Sequence, residues 1–168
     1  MEATIQIHEM SALAAGTDKT SGTVRFKAAD NATVDANDPI VVPGSGSTYS
    51  YTKTLRAYME APPDTQVSGL EWYTDGSNGM GTGVSVQAKN IGTTWSANIN
   101  TQLAESSDLF SFTSASPLDG ETVDAGPFTA ADDDSYIGDL IRLQMTVADT
   151  TSNGATPTET LTLRMNEI

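Results

Sequence analysis

The chain has 168 residues, no cysteine, and 22 acidic against 8 basic residues, for a formal net charge of -14. That length suits one domain with a proper hydrophobic core, and the lack of cysteine excludes disulfides and thiolate metal sites. The acidic balance argues against nucleic acids and anionic membranes as partners. We expect no signal peptide, since the first residues have neither a basic nor an apolar region, and no run is long enough to span a bilayer.

Alternating apolar residues predict three strands in the first third of the chain. Thr4–His8 places Ile5 and Ile7 on one face, and Thr23–Ala28 has the same period of two. Tyr49–Met59 also alternates throughout. Its second half has fair helix propensity, but the alternation favours a long strand. Polar stretches rich in Gly, Asn and Asp separate these strands and predict turns.

The centre of the predicted fold is a pair of strands, Val67–Thr74 and Gly83–Ala88, joined by the glycine-rich loop Gly76–Gly83. Trp72 alternates with polar neighbours on the first strand, and a buried tryptophan beside an aliphatic strand is typical of a sandwich core. Gly69 interrupts the first strand and predicts a β-bulge. The loop lacks both the spacing of a phosphate-binding loop and a following helix, so we expect a mobile connection.

The last third of the chain continues the pattern of short strands. Thr94–Ile99, Ile141–Val147 and Leu161–Met165 alternate, and Thr101–Phe110 is the one place where the sequence favours a short helix. The expected core anchors are Trp72, Val84, Val86, Trp95, Leu143 and Leu163. Polar residues at the alternate positions are expected on strand exteriors: Arg25, Lys27, Arg142, Gln144, Thr162 and Arg164.

These elements together predict an all-β fold. We expect residues 1–168 to form one antiparallel β-sandwich of about eight or nine strands, with at most one short helix. Immunoglobulin-like and jelly-roll topologies use the same periodicity and turn signals, so both remain open.

Two acidic loops carry oxygen ligands of the kind that Ca²⁺ prefers. The first contains Asp35, Asn37 and Asp38, and the second contains Asp132, Asp133 and Asp134. Neither matches the spacing of a calcium-binding loop with its distal glutamate. Solvated acidic loops are therefore the expectation, with a structural calcium ion as the alternative and no other cofactor.

The sequence does not predict an enzyme. His8 is the only histidine, and it lies opposite Ile5 and Ile7 on its strand, so we expect it to be exposed. No Gly-x-Ser-x-Gly elbow accompanies it. Glu71 is the acid most suggestive of a glycosidase because Trp72 and Tyr73 follow it, but it points away from Trp72 along the strand.

Four segments resemble small virion proteins of tailed bacteriophages. They are Thr4–Met10, Glu71–Asp75 with the following glycine-rich loop, and Tyr136–Leu140 with Glu159–Leu163. The resemblance implies a decoration or cement-type protein with a β-sandwich fold. It would be made in the host cytoplasm and bound in many copies, or as a homo-oligomer, to the major capsid protein of the virion. The family pattern supplies no catalytic residues.

Contacts with such a partner are expected from two mobile regions, because termini and flexible loops order readily on assembly. One is a contact arm of residues 1–15, and the other is the glycine-rich loop. The interface candidates are Ile5, Ile7, His8, Gly76, Asn78 and Met80.

Two alternatives to capsid binding remain open. The first is a carbohydrate- or receptor-binding sandwich, for which a coplanar exposed pair of Tyr49 and Tyr73 would be favourable. The second is a head–tail connector or tail component, which predicts ring-shaped oligomers.

Overall fold

The computed structural model describes residues 2–154 and 156–168, which form ten strands in two antiparallel sheets. The strands are β1 (Thr4–Ala12), β2 (Ala15–Asp18), β3 (Ser47–Tyr49), β4 (Lys53–Ala61), β5 (Val67–Tyr73), β6 (Val84–Asn90), β7 (Ser107–Asp108), β8 (Leu118–Asp119), β9 (Ser135–Ala148) and β10 (Thr162–Glu167). The all-β sandwich prediction is confirmed. The described residues contain ten strands where eight or nine were expected, because two of them are only two residues long.

The two sheets differ in size. The larger sheet has seven strands in the order β2-β1-β4-β9-β6-β7, with β3 also paired to β9, and the smaller has three in the order β10-β5-β8. Apolar residues of the two inner faces meet in two clusters, one around Trp72 and Val86 and the other around Met59 and Leu70. Because three strands cannot cover seven, long loops complete the cover of the larger sheet.

The strands on either side of the glycine-rich loop do not pair with each other, so the predicted hairpin is wrong. β5 belongs to the smaller sheet and β6 to the larger one. The connection between them is long enough to cross the roughly 10 Å between packed sheets, so Trp72 faces the valines of β6 across the core. The predicted bulge is present, since Gly69 has a φ of 68° and the register with β10 shifts between Arg164 and Asn166.

β9 is the centre of the larger sheet. It pairs with β6 along one edge and with β4 and β3 along the other. Because β3 and β4 lie end to end on the same edge, the predicted long strand Tyr49–Met59 is interrupted at residues 50–52. Nearly all of β9 is buried on both faces, because the segment 91–106 lies over the outer face of the sheet.

Several predicted elements are absent. Residues 23–28 and 94–99 form no ladder, although Lys27 and Trp95 were assigned to strands there. Both stretches lie in the loops that cover the larger sheet, where single backbone hydrogen bonds such as those from the Tyr51 amide to the Lys27 carbonyl and from the Thr52 amide to the Ile99 carbonyl hold them. Trp95 is only partly buried and lies outside both apolar clusters, so its assignment as a core anchor is wrong. The predicted helix is reduced to a 3-10 turn at Leu109–Ser111.

The other predicted anchors lie in the core. Trp72, Val84, Val86 and Leu143 are buried, and Leu163 is partly buried against both clusters. Leu163 pairs with Trp72 in the register between β10 and β5. This pairing places Leu163 where the two clusters meet.

The predicted contact arm is not free. Residues 4–12 form β1, which is hydrogen-bonded between β2 and β4 within the larger sheet. Ile5 and Ile7 point inward and pack against the apolar clusters. Ile5 and Ile7 alternate with polar residues because they pack against the core, and this same alternation predicted the strand.

Candidate functional site

Four of the eight basic residues are buried: Lys27, Lys53, Arg56 and Arg142. Lys53 Nζ donates to Glu9 Oε1 at 2.8 Å, and both side chains are at most 5 % exposed. Lys19 Nζ lies 3.7 Å from Glu9 Oε2, an atom that accepts no hydrogen bond in the described part of the chain. Two ammonium groups therefore surround one buried carboxylate, which balances its charge where water is excluded.

Lys27 occupies the centre of the first acidic loop. Its ammonium lies 2.7 Å from Asp35 Oδ1 and 3.9 Å from Asp38 Oδ2, and the side chain is buried. Asp35 also accepts from Asn37, and its pKa is lowered, chiefly by the hydrogen bond from Lys27. The expectation that Lys27 is exposed on a strand is wrong, because its ammonium is the cation that this acidic loop encloses.

The second acidic loop is engaged in local structure. Asp132 and Thr129 form a capping box around the 3-10 turn Ala130–Asp132. Asp134 accepts a hydrogen bond from Tyr58, and this bond raises the pKa of Tyr58 to about 12. Among residues 2–154 and 156–168, no group of three acidic or histidine side chains is arranged to hold a metal ion.

A buried carboxylate, Asp139, organises one end of the sandwich. It accepts hydrogen bonds from the Thr122 hydroxyl at 2.6 Å, from Asn90 Nδ2 at 2.9 Å and from the Asp124 amide at 2.8 Å. Burial opposes its ionisation, but these bonds outweigh burial and lower its pKa. Asp124 in turn accepts from Arg56 at 2.8 Å, so the buried guanidinium is tied to the same network.

Arg142 and Gln144 face outward from the larger sheet as predicted, but they are buried there rather than exposed. They alternate with core residues on β9 and therefore lie on the outer face of the sheet. Arg142 donates to the Ser96 carbonyl at 2.6 Å, and Gln144 accepts from the Leu103 amide at 2.7 Å. These bonds fasten the segment 91–106 over β9.

The exterior of the protein is consequently more acidic than the composition suggests. Seven basic side chains make ion pairs or hydrogen bonds: Lys19, Lys27, Lys53, Arg56, Lys89, Arg142 and Arg164. Arg25 is exposed and makes no ion pair or side-chain hydrogen bond within the described residues. Most of the acidic residues lie in exposed or half-exposed loops, so the surface is largely anionic.

His8 lies in an aromatic cluster on the outer face of the larger sheet. Its ring stacks on Tyr58 at 4.6 Å between centroids and meets Tyr136 edge-on at 5.5 Å. The side chain is buried, which corrects the expectation that it is exposed. Burial is the main cause of its lowered pKa, against the opposing effect of Asp18 and Glu60. His8 is therefore poorly placed to contact a partner directly.

The glycine-rich loop is held to β6 by Asn78. The Asn78 side-chain nitrogen Nδ2 donates to the Val84 carbonyl at 2.9 Å, and the side-chain oxygen Oδ1 accepts from the Met80 backbone amide at 3.1 Å. Met80 packs partly buried against the core cluster around Trp72. Gly76 is exposed with a φ of 86°. Gly81 and Thr82 are exposed as well, so most of the loop apart from Met80 and Gly83 is presented to solvent.

A polar cleft of about 540 Å³ lies at the loop end of the smaller sheet. Tyr73, Asp75 and Glu159 line it together with hydroxyl groups from Thr74, Thr113, Ser114, Thr158, Thr160 and Thr162. Arg164 lies 5.4 Å from the centre of the Tyr73 ring. Tyr49 belongs to the other sheet, so the two tyrosines do not form the exposed pair considered from the sequence.

A second, larger cavity of about 780 Å³ lies between the larger sheet and its loops. Its floor is apolar and comes from β4, β6 and β9, including Leu55, Leu143 and Val147. Val24 and Val42 line it from the covering loop. The cavity occupies the part of the larger sheet that the smaller sheet leaves uncovered.

Comparison with known proteins finds no match among protein-family models, curated proteins or solved structures. Within the residues that the structure describes, no helix is long and apolar enough to cross a membrane.

The sequence interpretation missed the buried polar residues Glu9, Lys53, Arg56 and Asp139. Arg56 alternates with Leu55 and Ala57 like a solvent-facing residue, whereas Glu9 and Lys53 share the inner face with Ile7 and Leu55. Periodicity alone therefore did not show that polar residues are buried at these positions. The available signal was loop length. The connections at residues 19–46 and 91–106 exceed the usual length of loops in compact domains, and such segments can cover a sheet face.

Proposed function

We propose that this protein is a non-catalytic structural component of a tailed-bacteriophage virion, a decoration or cement-type subunit that binds the major capsid protein. The observation that supports the proposal is the anionic exterior, produced by the burial and pairing of the basic residues. Such a surface disfavours nucleic acid and favours a partner with complementary positive charge. Binding would act through buried area, of which a standard interface has about 1,600 Å² in total.

The hairpin between β1 and β2 is the best candidate for the contact. Leu13 at its tip is 47 % exposed, and Ala12, Ala14 and Ala15 around it are exposed as well. Four adjacent apolar residues at the tip of a hairpin, on a largely acidic surface, suit insertion into a pocket of a neighbouring subunit. The hairpin thus takes the place of the flexible arm expected from the sequence.

Co-sedimentation with purified capsid shells tests the proposal. We expect binding that weakens as salt rises, because complementary charges are screened. Leu13→Asp should weaken binding at least about tenfold, as expected for an interface hot spot. Val123→Asp is the matched control, since Val123 is 64 % exposed on a different loop. Absence of the protein from virions, measured by mass spectrometry, would reject the proposal.

A carbohydrate-binding module is the second candidate, and the cleft beside Tyr73 favours it. Its hydroxyl and carboxylate lining and its single aromatic ring suit the hydroxyls and apolar face of a sugar. A glycan array with the native protein and with Tyr73→Ala tests it. Binding that the substitution removes would support this function, whereas a blank array would reject it. Light scattering distinguishes the decoration protein and the carbohydrate-binding module from a head–tail connector, because a connector should form ring-shaped oligomers.

A further inference from the structure

We propose that the apolar cavity of about 780 Å³ binds a single-chain anionic amphiphile, with the alkyl chain inside and the acidic head group at Arg25. The cavity volume lies within the range of about 300–1,000 Å³ typical of small-molecule sites. This inference is independent of capsid docking, because it does not use the hairpin tip. The cavity shares Thr74, Thr158, Glu159 and Thr160 with the polar cleft, but neither Arg25 nor the apolar floor lines that cleft.

The lining of the cavity identifies the apolar part of the ligand. Leu55, Leu143, Met145 and Val147 line its apolar floor on adjacent strands and belong to the core cluster, where each is at most 6 % exposed. Ile40 and Val42 line it from the covering loop, and both are only partly buried. Apolar side chains that remain partly exposed around a cavity of this size favour an apolar occupant.

The charge around the cavity identifies the head group. Arg25 lines the cavity, is exposed, and is the one basic side chain in the described residues without an ion pair or side-chain hydrogen bond. Lys19 lines the cavity as well, but it is already engaged with Glu9. Glu159 also lines it and lies against Gly79 of the glycine-rich loop. In a chain with a net charge of -14, the one basic side chain without a partner among the described residues thus lies at an apolar cavity.

Isothermal titration with sodium dodecanoate below its micelle concentration tests the proposal. We expect one saturable site per chain and an affinity that rises about fourfold for each methylene from octanoate to dodecanoate. Dodecyl maltoside should bind more weakly, and dodecyltrimethylammonium weakest of the three. No binding, or tightest binding of the cationic amphiphile, would overturn the proposal.

Substitutions locate the two parts of the ligand. Arg25→Gln should weaken dodecanoate binding about three- to tenfold and leave dodecyl maltoside unaffected. Lys89→Gln is the control because Lys89 is a basic residue that does not line the cavity. Equal dodecanoate affinity in the Arg25 and Lys89 variants would overturn the head-group assignment.

A cavity-filling variant tests the place of the alkyl chain. Val42→Trp should abolish binding without lowering the melting temperature, whereas Val41→Trp, at a neighbouring residue that is 68 % exposed and outside the cavity lining, should bind normally. Equal binding by the two variants would place the ligand elsewhere and overturn the proposal.

Light scattering should show the same mass with and without dodecanoate. A dimer that dodecanoate dissociates would instead mean that a second copy covers the cavity.

Discussion

Lys53 and Glu9 form an ion pair in the interior of the sandwich, with 2.8 Å between Nζ and Oε1. They come from adjacent strands, β4 and β1, on the face of the larger sheet that carries Leu55 and Ile7. Two charges at this depth have lost most of their hydration, and each depends on the other for compensation. The pair is therefore a sensitive point of the fold.

We expect Lys53→Met to lower the free energy of unfolding by about 3–5 kcal/mol, because it leaves the Glu9 carboxylate buried with only Lys19 nearby. Urea denaturation measures the loss. Lys89→Met is the control. Its partner Glu105 is exposed, so the change should cost at most about 1 kcal/mol. The double variant Glu9→Leu with Lys53→Met should recover much of the loss, and a double variant as unstable as the single one would contradict this account.

Trp72→Ala should lower the free energy of unfolding by about 3–5 kcal/mol, because it opens a cavity between β5 and β6 in the core. Trp95→Ala should cost clearly less, since Trp95 is partly exposed and outside both apolar clusters. Thermal or urea denaturation compares the two. A normal melting temperature for the Trp72 variant would refute the role of this residue in the core.

His8 should make stability depend on pH. Burial lowers its native pKa from the ordinary value of 6.5, so the unfolded chain binds more protons between the native pKa and 6.5. Neutral His8 contributes fully to the free energy of unfolding above about pH 6.5, and this contribution is lost as pH falls through the native pKa. His8→Gln should flatten the dependence of unfolding free energy on pH in this window. Since His8 is the only histidine, an unchanged slope would contradict the assignment.

Asp139→Asn should destabilise the protein by at least about 2 kcal/mol, because the new amide presents donors to groups that already donate to this position. Urea denaturation measures the loss. Asp133→Asn is the control, since Asp133 lies exposed in an acidic loop and makes no side-chain hydrogen bond or ion pair within the described residues. Equal stability of the two variants would show that the hydrogen bonds to Asp139 contribute little.

Alternation identified the strands that carry the core, and Trp72, Val86 and Leu143 lie where it placed them. Alternation alone could not distinguish a strand with one solvent-exposed face from a strand that is covered on both faces. Arg142 and Gln144 have the pattern of exposed residues, but their hydrogen bonds to Ser96 and Leu103 depend on a segment distant in the chain. For the same reason the pairing of β5 and β6 was wrong, because periodicity does not specify which sheet a strand joins.

β9 has neighbours along both of its edges and is covered on both faces. Its amide protons should therefore be among the slowest in the molecule to exchange with deuterated solvent, at rates set by global unfolding. The amides of residues 23–28, which form no ladder, should exchange through local opening at a much lower free energy. The covering loop could then separate from the sheet while the β9 ladder stays intact, and hydrogen exchange resolved by residue would detect the difference.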